Sequence, residues 1–249
     1  MTRPARTFYA ADLAYVHDAG FLDFARRAAP GVLARLRRHG PAGARVVEVG
    51  CGSGGLTERL AAAGWQVLGI DIAPAMIRLA RRRAPRAVFR VGSYAELPLA
   101  PCAAGVAAGE CLNYLAGGCR AHEAGLRRFF RRAARALPPG GLLLFDFLEP
   151  WAGRPRRRSV ETSGPDWVVL AAIGVNERKR ILTRHITTIR EVTGRQRLSF
   201  EVHRQRLLRR ADLARWLRAA GFSVRFQRGY GRAALGPGKV VAEAVRIEK

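Results

Sequence analysis

Residues 44 to 148 alternate between short apolar runs and longer amphipathic segments. The runs ARVVEV (44–49), WQVLGID (65–71) and GGLLLFDFL (140–148) have the length and the flanking turns of buried strands. Between them, segments such as HEAGLRRFFRRAARAL (122–137) repeat apolar residues at helical spacing. The same pattern predicts helices over 56–64 and 73–84 and short strands over 87–92 and 105–110. This alternation predicts a parallel sheet covered by helices on both faces.

The pattern changes after the apolar run that ends at residue 148. Segments 167–173, 180–192 and 196–207 alternate polar and apolar residues with a period of two, and no helical segment separates them. They predict antiparallel hairpins. The proline- and arginine-rich stretch 150–159 predicts a mobile loop in front of them. A helix over 210–222 and strands over 223–230 and 240–247 are predicted to close the chain.

The N-terminal segment has a helical pattern over residues 11–38, which is divided at Pro30-Gly31. We therefore predict an N-terminal helical lid over residues 1–43 and a single α/β domain over residues 44–249. Within that domain, residues 150–207 form the antiparallel insert. A length of 249 residues is sufficient for one sizeable hydrophobic core.

Composition narrows the cellular setting and excludes some chemistry. The four cysteines contain no C-x-x-C pair, so we expect free thiols and no zinc or other metal site. The N-terminal stretch has no apolar signal region, and no run reaches the length needed to span a membrane. These features predict a soluble, cytoplasmic protein that has no membrane partner. The sequence gives no indication of the oligomeric state.

The formal net charge of +25 comes almost entirely from arginine, because only three of the 44 basic residues are lysine. Such a field attracts polyanions whatever its origin. The arginines, however, are distributed over many helix faces and are not interleaved with aromatic residues along one groove. We interpret the charge partly as a coding bias toward arginine. A role of the charge in nucleic-acid binding is the alternative.

The glycine-rich turn VVEVGCGSGG (46–55) follows the first predicted strand and fits two cofactor motifs. Gly50, Gly52 and Gly55 satisfy the G-x-G-x-x-G pattern of dinucleotide-binding enzymes. Gly50, Gly52 and Gly54, with Glu48 before them, satisfy the [DE]-x-G-x-G-x-G pattern of methyl-donor enzymes. In both classes, glycine lets the backbone approach a ligand closely. The turn alone therefore does not distinguish the two cofactors.

The surroundings of the turn favour the methyl donor. Glu48 lies where dinucleotide-binding enzymes usually have an apolar residue, and Asp71 ends the next strand 21 residues after Gly50. VGSYAELP (91–98) follows the third strand and LPPGG (137–141) precedes the fifth. In this order, residues 44–148 resemble the class I S-adenosylmethionine-dependent methyltransferases. The insert resembles the antiparallel cap that small-molecule N- and O-methyltransferases of this family place over the active site.

This resemblance implies a Rossmann-like, doubly wound sheet of seven strands in the order 3-2-1-4-5-7-6, with the last strand antiparallel and the hairpin insert after the fifth strand. It also implies S-adenosylmethionine as cofactor. The residues that it would place around the cofactor are Glu48, Gly50, Cys51, Gly52, Gly54, Asp71, Ile72, Met76, Ser93, Tyr94 and Glu110, with Tyr15 from the lid. Ser93 stands where many relatives have an aspartate.

By the same resemblance, Asp71 would hold the ribose and Ile72 and Met76 would contact the adenine, whose amino edge would meet Ser93 and Tyr94. The backbone of residues 50–52 would line the methionine end, with Glu48 beneath it. Glu110 would approach the methionine amino group.

The acceptor side is less clearly marked, because methyl transfer from a sulfonium is an in-line displacement that depends mainly on alignment and exclusion of water. GECLNYL (109–115) follows the fourth strand, so Glu110, Asn113 and Tyr114 are catalytic candidates. His203 on a hairpin strand is a fourth candidate, because it could act as a base. His185, Tyr9 and His17 are further residues that could face the site.

We therefore predict transfer of a methyl group to N or O of a small molecule. The sequence lacks the [DN]-P-P-[YF] motif of base-amino methylation, and Pro101-Cys102 lies at the wrong end of the sheet for attack on cytosine. Methylation of RNA or another nucleic acid remains an alternative. The atypical Ser93 leaves a second alternative, an inactive module that binds S-adenosylmethionine.

Overall fold

The computed structural model describes residues 8–96, 99–153 and 155–248. Its helices are α1 (Ala11–Gly20), α2 (Asp23–His39), α3 (Gly55–Ala62), α4 (Pro74–Arg83), α5 (Cys119–Ala136) and α6 (Arg210–Ala219). Its first strands are β1 (Arg45–Val49), β2 (Gln66–Asp71), β3 (Val88–Val91), β4 (Ala104–Ala107) and β5 (Leu142–Leu148). They are followed by β6 (Arg157–Gly164), β7 (Trp167–Asn176), β8 (Ile181–Val192) and β9 (Arg195–Arg206). The last strands are β10 (Phe222–Gln227), β11 (Gly229–Tyr230), β12 (Ala233–Ala234) and β13 (Lys239–Arg246).

Seven of these strands form the central sheet, in the order β10-β13-β5-β4-β1-β2-β3. Strand β1 pairs in parallel with β2 and β4, and β13 pairs antiparallel with both β5 and β10. Counted along the chain without the insert, this is the order 3-2-1-4-5-7-6 with an antiparallel seventh strand. The predicted fold is confirmed.

The core lies on both faces of the sheet because its central strands are mostly apolar and almost completely buried. All seven residues of β5 are buried. The stripe of α5 that the sequence pattern marked includes Leu126, Phe129 and Phe130, which pack against Phe145 of β5. Truncating a buried phenylalanine of this kind to alanine typically costs about 3–5 kcal/mol. This packing holds the central strands in place. It thereby fixes the positions of the loops after β1, β2 and β4, which meet at one edge of the sheet.

The insert is a separate antiparallel sheet of four strands, β6-β7-β8-β9, which we call the cap sheet. Three of its strands were predicted, but β6 was not: residues 157–159 fell in the predicted loop 150–159, and residues 160–164 received no assignment. Six of the eight residues of β6 are exposed and most are polar, so no alternation marks it. It forms through its backbone ladder with β7, in which Arg157 pairs with Gly174 and Gly164 pairs with Trp167. Arg154 of the predicted loop lies outside the described residues.

The N-terminal segment is helical as predicted, but the two helices separate at Phe21-Leu22 and not at Pro30-Gly31. Pro30 lies inside α2, which continues to His39. Gly31 is required there for a different reason, because a Cβ atom on it would lie 2.2 Å from the carbonyl oxygen of Tyr230. Residues 1–7 of the predicted lid lie outside the described residues. Within the described ranges, no helix is both long enough and apolar enough to cross a membrane.

Candidate active site

A cavity of about 790 Å³ lies between the carboxyl ends of β1, β2 and β4, the start of α1 and the inner face of the cap sheet. The glycine turn and Asp71 line one end of it. Ala171 of β7, with Arg184 and Ile186 of β8, lines the other end. Parallel strands bring their carboxyl ends to one edge of a sheet, and α/β proteins bind their ligands in the crevice beside such an edge.

The glycine turn forms its end of the cavity through backbone conformations that favour glycine. Gly50 and Gly52 have φ values of +68° and +54°. A Cβ atom on Gly50 would lie 2.4 Å from the Cβ of Cys111, so no larger residue fits there. A Cβ atom on Gly52 would meet no heavy atom within 4 Å, which leaves open space beside its backbone. Cys51 also lines the cavity.

The other two glycines of the turn serve helix packing. Gly54 has a φ of +84°, and a Cβ atom on it would lie 3.0 Å from the Cα of Ala80 in α4. A Cβ atom on Gly55 would lie 2.7 Å from Leu22. Among the described residues that line the cavity, Gly55 is present and Gly54 is absent. Gly54 therefore has a packing role at the start of α3, and its contact with the cofactor stays a prediction.

Glu48 is a buried acid at the floor of the cavity. The hydroxyl of Thr57 donates to its Oε2 at 2.5 Å, and both residues are almost completely buried. Burial raises the pKa of Glu48 to about 8, and the Thr57 hydrogen bond lowers it only partly. In the ligand-free protein the Glu48 carboxyl is therefore largely protonated at neutral pH, and a nearby cation would favour its ionised form.

Asp71 joins the glycine turn to the beginning of α4. Its Oδ2 accepts the backbone N–H of Gly52 at 2.9 Å, and its Oδ1 accepts that of Ala73 at 2.8 Å. Burial raises the pKa of Asp71, and these backbone N–H groups oppose the shift. The next residue, Ile72, lines the cavity with 44% of its surface exposed. Asp71 and Ile72 therefore place a fixed carboxylate beside an exposed apolar side chain.

Met76, Ser93 and Tyr94 complete this end of the cavity. Met76 is buried at the beginning of α4. The Oγ of Ser93 accepts the backbone N–H of Ala95 at 3.1 Å, so the hydroxyl also stabilises its own turn. The Tyr94 ring packs edge-on against Phe129, with 5.3 Å between the ring centroids. Leu97 and Pro98, the last residues of the predicted VGSYAELP motif, lie outside the described residues.

Glu110 is held between two cations where the two ends of the cavity meet. Its Oε1 lies 2.5 Å from the Nζ of Lys239, and its Oε2 lies 3.4 Å from an Nη of Arg184 and from the amide of Gln205. Burial alone would raise the pKa of Glu110, but Lys239 and Arg184 together lower it. Its φ of +62° is rarely adopted by residues other than glycine and is typical of functional sites. Glu110 is therefore an ionised carboxylate.

A second buried acid, Asp146, supports the loop that carries Glu110. Its Oδ1 accepts the backbone N–H of Gly109 at 2.7 Å and the hydroxyl of Tyr230 at 3.0 Å. Burial raises the pKa of Asp146 to about 6, and the nearby charge of Glu110 adds to the shift. Asp146 therefore fixes the backbone from which Glu110 enters the cavity.

Tyr114 meets Tyr9 at the cap end of the cavity. Their hydroxyl oxygens lie 2.9 Å apart, and both side chains line the cavity. Burial raises the pKa of both phenols, so both remain protonated at neutral pH. The pair can donate and accept hydrogen bonds, and it does not supply a phenolate base.

His203 is buried behind this tyrosine pair and is absent from the described lining of the cavity. Its ring centroid lies 5.0 Å from that of Tyr9 and 5.6 Å from that of Tyr114. Its Nε2 lies 2.8 Å from the carboxylate of Glu201, which also accepts the backbone N–H groups of Tyr9 and Ala10. The predicted base is thus placed one layer away from the cavity. His185 is exposed on the opposite face of β8.

Two further predicted residues are also placed away from the cavity. Asn113 donates to the carbonyls of Leu148 and Arg206 and accepts the N–H of Leu148, so its amide joins β5 to the end of β9. Tyr15 donates to Asp166 at 2.7 Å, and the guanidinium of Arg190 lies over its ring. Both side chains have structural partners, and neither belongs to the described lining. The catalytic role of Asn113 and the cofactor contact of Tyr15 therefore stay predictions.

The cavity lining contains buried polar atoms that a polar ligand could satisfy. Ser53 Oγ and His17 Nδ1 are buried, and within the described ranges neither has a hydrogen-bond partner. Both side chains line the cavity. Burial lowers the pKa of His17 to about 4, so its imidazole is neutral. Buried polar atoms are normally hydrogen-bonded, so this lining fits a polar cofactor. No cluster of three or more metal-ligating side chains occurs in the part of the chain that the structure describes.

Comparison with known proteins identifies the family. A family model described as a methyltransferase domain matches residues 47–145. A dTDP-3-amino-3,6-dideoxy-alpha-D-glucopyranose N,N-dimethyltransferase of Streptomyces fradiae is 31% identical over 225 residues, which cover 86% of this chain and 83% of that protein. This chain belongs to the class I S-adenosylmethionine-dependent methyltransferases. It is an enzyme, and its cofactor is S-adenosylmethionine.

A further relative and two solved structures are also similar to this methyltransferase. A ubiquinone biosynthesis O-methyltransferase of Xanthomonas axonopodis pv. citri (strain 306) is 30% identical over 197 residues, covering 78% of this chain and 67% of that protein. The CcbJ methyltransferase from Streptomyces caelestis superposes with a TM-score of 0.78 at 23% identity, covering 97% of this chain and 99% of its own. The amino pentose methyltransferase CalS10 from Micromonospora echinaspora gives 0.71 at 22% identity, covering 98% and 100%. These two structures share the fold.

Three residues of the methyltransferase that shape the cavity were not predicted to do so. Arg184 and Lys239 hold Glu110, and Glu201 holds the beginning of α1. Arg184 shares the inner face of β8 with Leu182 and Ile186, so the period-two alternation could have marked it. Lys239 is one of only three lysines in an arginine-rich chain. Glu201 carries no local signal for its contact with α1, because the N–H groups that it accepts there are 191 and 192 residues away.

Proposed function

We propose that this methyltransferase transfers a methyl group to a nitrogen or oxygen atom of a small molecule held beneath the cap sheet. The observation that carries the proposal is the single cavity of about 790 Å³, which is continuous from the glycine turn to the inner face of the cap sheet. This volume lies within the range of small-molecule sites, which is roughly 300–1,000 Å³. The names of the relatives include an N,N-dimethyltransferase and an O-methyltransferase, which supports either acceptor atom.

The glycine end of the cavity is the proposed cofactor site. The backbone of Gly50, Cys51 and Gly52 borders the space for the methionine part, and Glu48 lies below it. Asp71 is proposed to hold the ribose, because its carboxylate is fixed by two backbone N–H groups beside the cavity. The exposed side chain of Ile72 supports an apolar contact with the adenine, to which Met76, Ser93 and Tyr94 also contribute.

Glu110 is proposed to attract the positively charged end of the cofactor. It is ionised, and Lys239 and Arg184 fix its position without removing its exposure to the cavity. When bound, S-adenosylmethionine supplies an electrophilic methyl group on a sulfonium. The chain contributes alignment and a water-poor enclosure, which are the main requirements of an in-line displacement.

The cap end is the proposed acceptor site. Val169, Ala171, Ile173 and Ile186 give it an apolar wall, and Tyr9 and Tyr114 give it two protonated hydroxyl groups. Phenols of this kind can orient an acceptor hydroxyl or amine through hydrogen bonds. We propose that residues 150–207 act as the substrate cap and that the N-terminal helices act as a lid. Glu201 supports this proposal, because it joins the beginning of α1 to β9.

The proposal is tested with radiolabelled S-adenosylmethionine offered to a metabolite extract and to total RNA. Each is assayed at low and at physiological salt, with boiled enzyme and Asp71→Ala as controls. Labelling of a small molecule that is retained at physiological salt is expected, because salt screens an enclosed pocket less than an exposed surface. Labelling of RNA at physiological salt with none in the metabolite fraction would contradict the proposal. Cofactor binding without any labelled acceptor would favour the inactive binding module.

A further inference from the structure

Lys239 and Glu110 form a short ion pair inside the cavity. The Nζ of Lys239 lies 2.5 Å from Oε1 of Glu110, and both side chains line the cavity. Within the described ranges, Glu110 is the only ion-pair partner of this Nζ. Oε2 of the same carboxylate has two other partners, Arg184 and Gln205, each at 3.4 Å. The two oxygens of Glu110 therefore have separate partners, and Oε1 belongs to Lys239.

The cations in direct contact with Glu110 already exceed its charge. One carboxylate meets two cations, Arg184 and Lys239, so these three side chains have a net charge of +1 (2 − 1). The methionine amino group of S-adenosylmethionine is a further cation at neutral pH. Like charges that share one buried acid repel each other, because the dielectric constant around them is low. An ammonium group therefore binds well to Glu110 only when one of the two resident cations leaves.

Lys239 is the cation that can leave most easily. Its side chain is 36% exposed, against 24% for Arg184, and its flexible stem can carry the ammonium group into water. The backbone does not have to move, because it is held by pairing with Leu148 at the start of β13. Arg184 lies in the middle of the cap sheet, where β7 and β9 pair with β8 on both sides. A rotation of one side chain is therefore sufficient to free Oε1.

Lysine at this position is unusual for this chain, in which only three of the 44 basic residues are lysine. A guanidinium binds a carboxylate through two parallel hydrogen bonds, whereas an ammonium group binds as a single compact charge. An arginine at residue 239 would compete with Arg184 for both oxygens of Glu110. A lysine leaves Oε2 to Arg184, and it can be exchanged for another ammonium group, which has the same charge and similar donors.

We propose that Lys239 is a built-in competitor of the cofactor. Its ammonium group holds the oxygen of Glu110 that the methionine amino group requires, and it leaves this oxygen when the cofactor binds. This role rests on the proposed function, in which Glu110 binds that end of the cofactor. The product S-adenosylhomocysteine carries the same amino group, so Lys239 returns to Glu110 as the product dissociates. The exchange lowers the affinity for both ligands and favours release of the product.

Titration calorimetry with S-adenosylhomocysteine tests the proposal without an acceptor. Lys239→Met should lower the Kd about twofold to fivefold, the scale of a partly exposed ion pair. Lys239→Arg should raise the Kd, because a guanidinium leaves a carboxylate less readily. Lys179→Met is the matched control, because it removes the same charge from an exposed turn outside the described lining, and it should leave the Kd unchanged. The Kd for 5′-methylthioadenosine, which has no amino group on its side chain, should be the same in all these variants.

Glu110→Gln distinguishes failure of the competition from failure of the proposed function. We expect Glu110→Gln to raise the Kd for S-adenosylhomocysteine and to abolish the gain from Lys239→Met in the double variant. An unchanged Kd in Glu110→Gln would contradict both the proposed role of Glu110 and the competition for it. A raised Kd in Glu110→Gln combined with an unchanged or raised Kd in Lys239→Met would overturn the competition alone. Lys239 would then serve to keep Glu110 ionised.

Acetylation of lysine follows the movement of Lys239 directly. Because the chain has only three lysines, the modified peptides can be assigned by mass spectrometry, with Lys179 as the internal reference. An amine held in an ion pair with a carboxylate is shielded from acetic anhydride. Lys239 should therefore react faster when S-adenosylhomocysteine is bound, and 5′-methylthioadenosine should have no such effect. Equal or slower acetylation with S-adenosylhomocysteine would show that Lys239 stays on Glu110 and would overturn the proposal.

Discussion

The hydroxyl groups of Tyr9 and Tyr114 lie 2.9 Å apart, although 105 residues separate them in the sequence. Tyr9 precedes α1, and Tyr114 follows the short turn Cys111–Asn113 after β4. Glu201 of the cap sheet fixes Tyr9 by accepting its backbone N–H at 2.8 Å. The pair therefore depends on the N-terminal segment, the central sheet and the cap sheet together. This is the arrangement expected if the acceptor is aligned only when the lid is in place.

Removing either hydroxyl should affect transfer more than cofactor binding. For Tyr9→Phe and Tyr114→Phe we expect kcat/KM for the acceptor to fall about tenfold to a hundredfold, because a buried hydroxyl loses its partner and alignment is relaxed. The Kd for S-adenosylmethionine should change less than threefold. Tyr15→Phe is the matched control, because its hydroxyl bonds to Asp166 outside the cavity. An equal loss of kcat/KM in the control would contradict an acceptor-side role for the pair.

Replacing Asp71 should weaken cofactor binding. We expect Asp71→Ala to cost about 1.5–3 kcal/mol, the scale of hydrogen bonds to a charged group, which raises the Kd for S-adenosylmethionine roughly tenfold to 150-fold. Titration calorimetry with S-adenosylmethionine and with NAD measures this change. Asp71 also accepts the N–H groups of Gly52 and Ala73, so Asp71→Asn, which keeps one carbonyl oxygen, is the second variant. Unchanged Kd values in both variants would exclude Asp71 from the cofactor site.

Strands β1, β2, β4 and β5 of the central sheet could be predicted from the sequence because they are short, mostly apolar runs between turn residues, and the strand order followed from the family resemblance. Strand β6 differs from these strands. Residues Arg157–Gly164 are mostly polar and exposed, and they become a strand only because their backbone pairs with β7. The break between α1 and α2 was also misplaced. The sequence pattern predicts the break at Pro30, because proline commonly interrupts helices. The chain instead turns at Phe21-Leu22 and continues as a helix through the proline.

The glycine end of the cavity, which is the proposed cofactor site, could be predicted for a similar reason. Glu48, Gly50 and Asp71 lie at the carboxyl ends of two neighbouring parallel strands, which share one edge of the sheet. The proposed acceptor end could not be predicted in this way, because it is assembled from distant segments. Whether a residue of α1 faces the cavity depends on the rotation of the helix. Leu13 and His17 share the cavity side of α1 at a spacing of four, and Phe21 directly after the helix continues it, whereas Tyr15 lies on another side and contacts Asp166.

Cofactor binding should depend on pH through Glu48. Burial raises the pKa of Glu48 to about 8 in the ligand-free protein, and a cationic ligand favours its ionised form. Binding therefore releases a proton from Glu48, and affinity for S-adenosylmethionine should rise with pH up to about 8 and then level off. The same measurement of affinity against pH with the Glu48→Gln variant shows how much of the pH dependence comes from ionisation of S-adenosylmethionine itself. Parallel pH profiles for the wild type and Glu48→Gln would contradict a charged contact at this position.

The same residue should make the ligand-free protein less stable at alkaline pH. The carboxyl of Glu48 has an ordinary pKa of 4.5 in the unfolded chain and of about 8 in the folded one. Between these values the folded state holds the extra proton, so the contribution to the free energy of unfolding falls by about 1.4 kcal/mol per pH unit as pH rises. Urea denaturation at pH 6, 7 and 8 should show a steeper decline for the wild type than for Glu48→Gln. Equal slopes would show that Glu48 is ionised in the folded protein.

Asn113 should prove to be a structural residue. Its amide is completely buried and makes three hydrogen bonds to the backbone of Leu148 and Arg206. Asn113→Ala leaves the buried N–H and C=O of Leu148 without this partner, so we expect the free energy of unfolding to fall by about 2–4 kcal/mol. Urea denaturation of the ligand-free protein measures the loss, and Tyr15→Phe, which removes a more exposed hydrogen bond, should cost less than about 1.5 kcal/mol.

Below the unfolding transition, Asn113→Ala should bind S-adenosylmethionine with a Kd within about threefold of the wild type. An unchanged stability combined with a large loss of kcat would contradict the structural role and favour a role of Asn113 in methyl transfer.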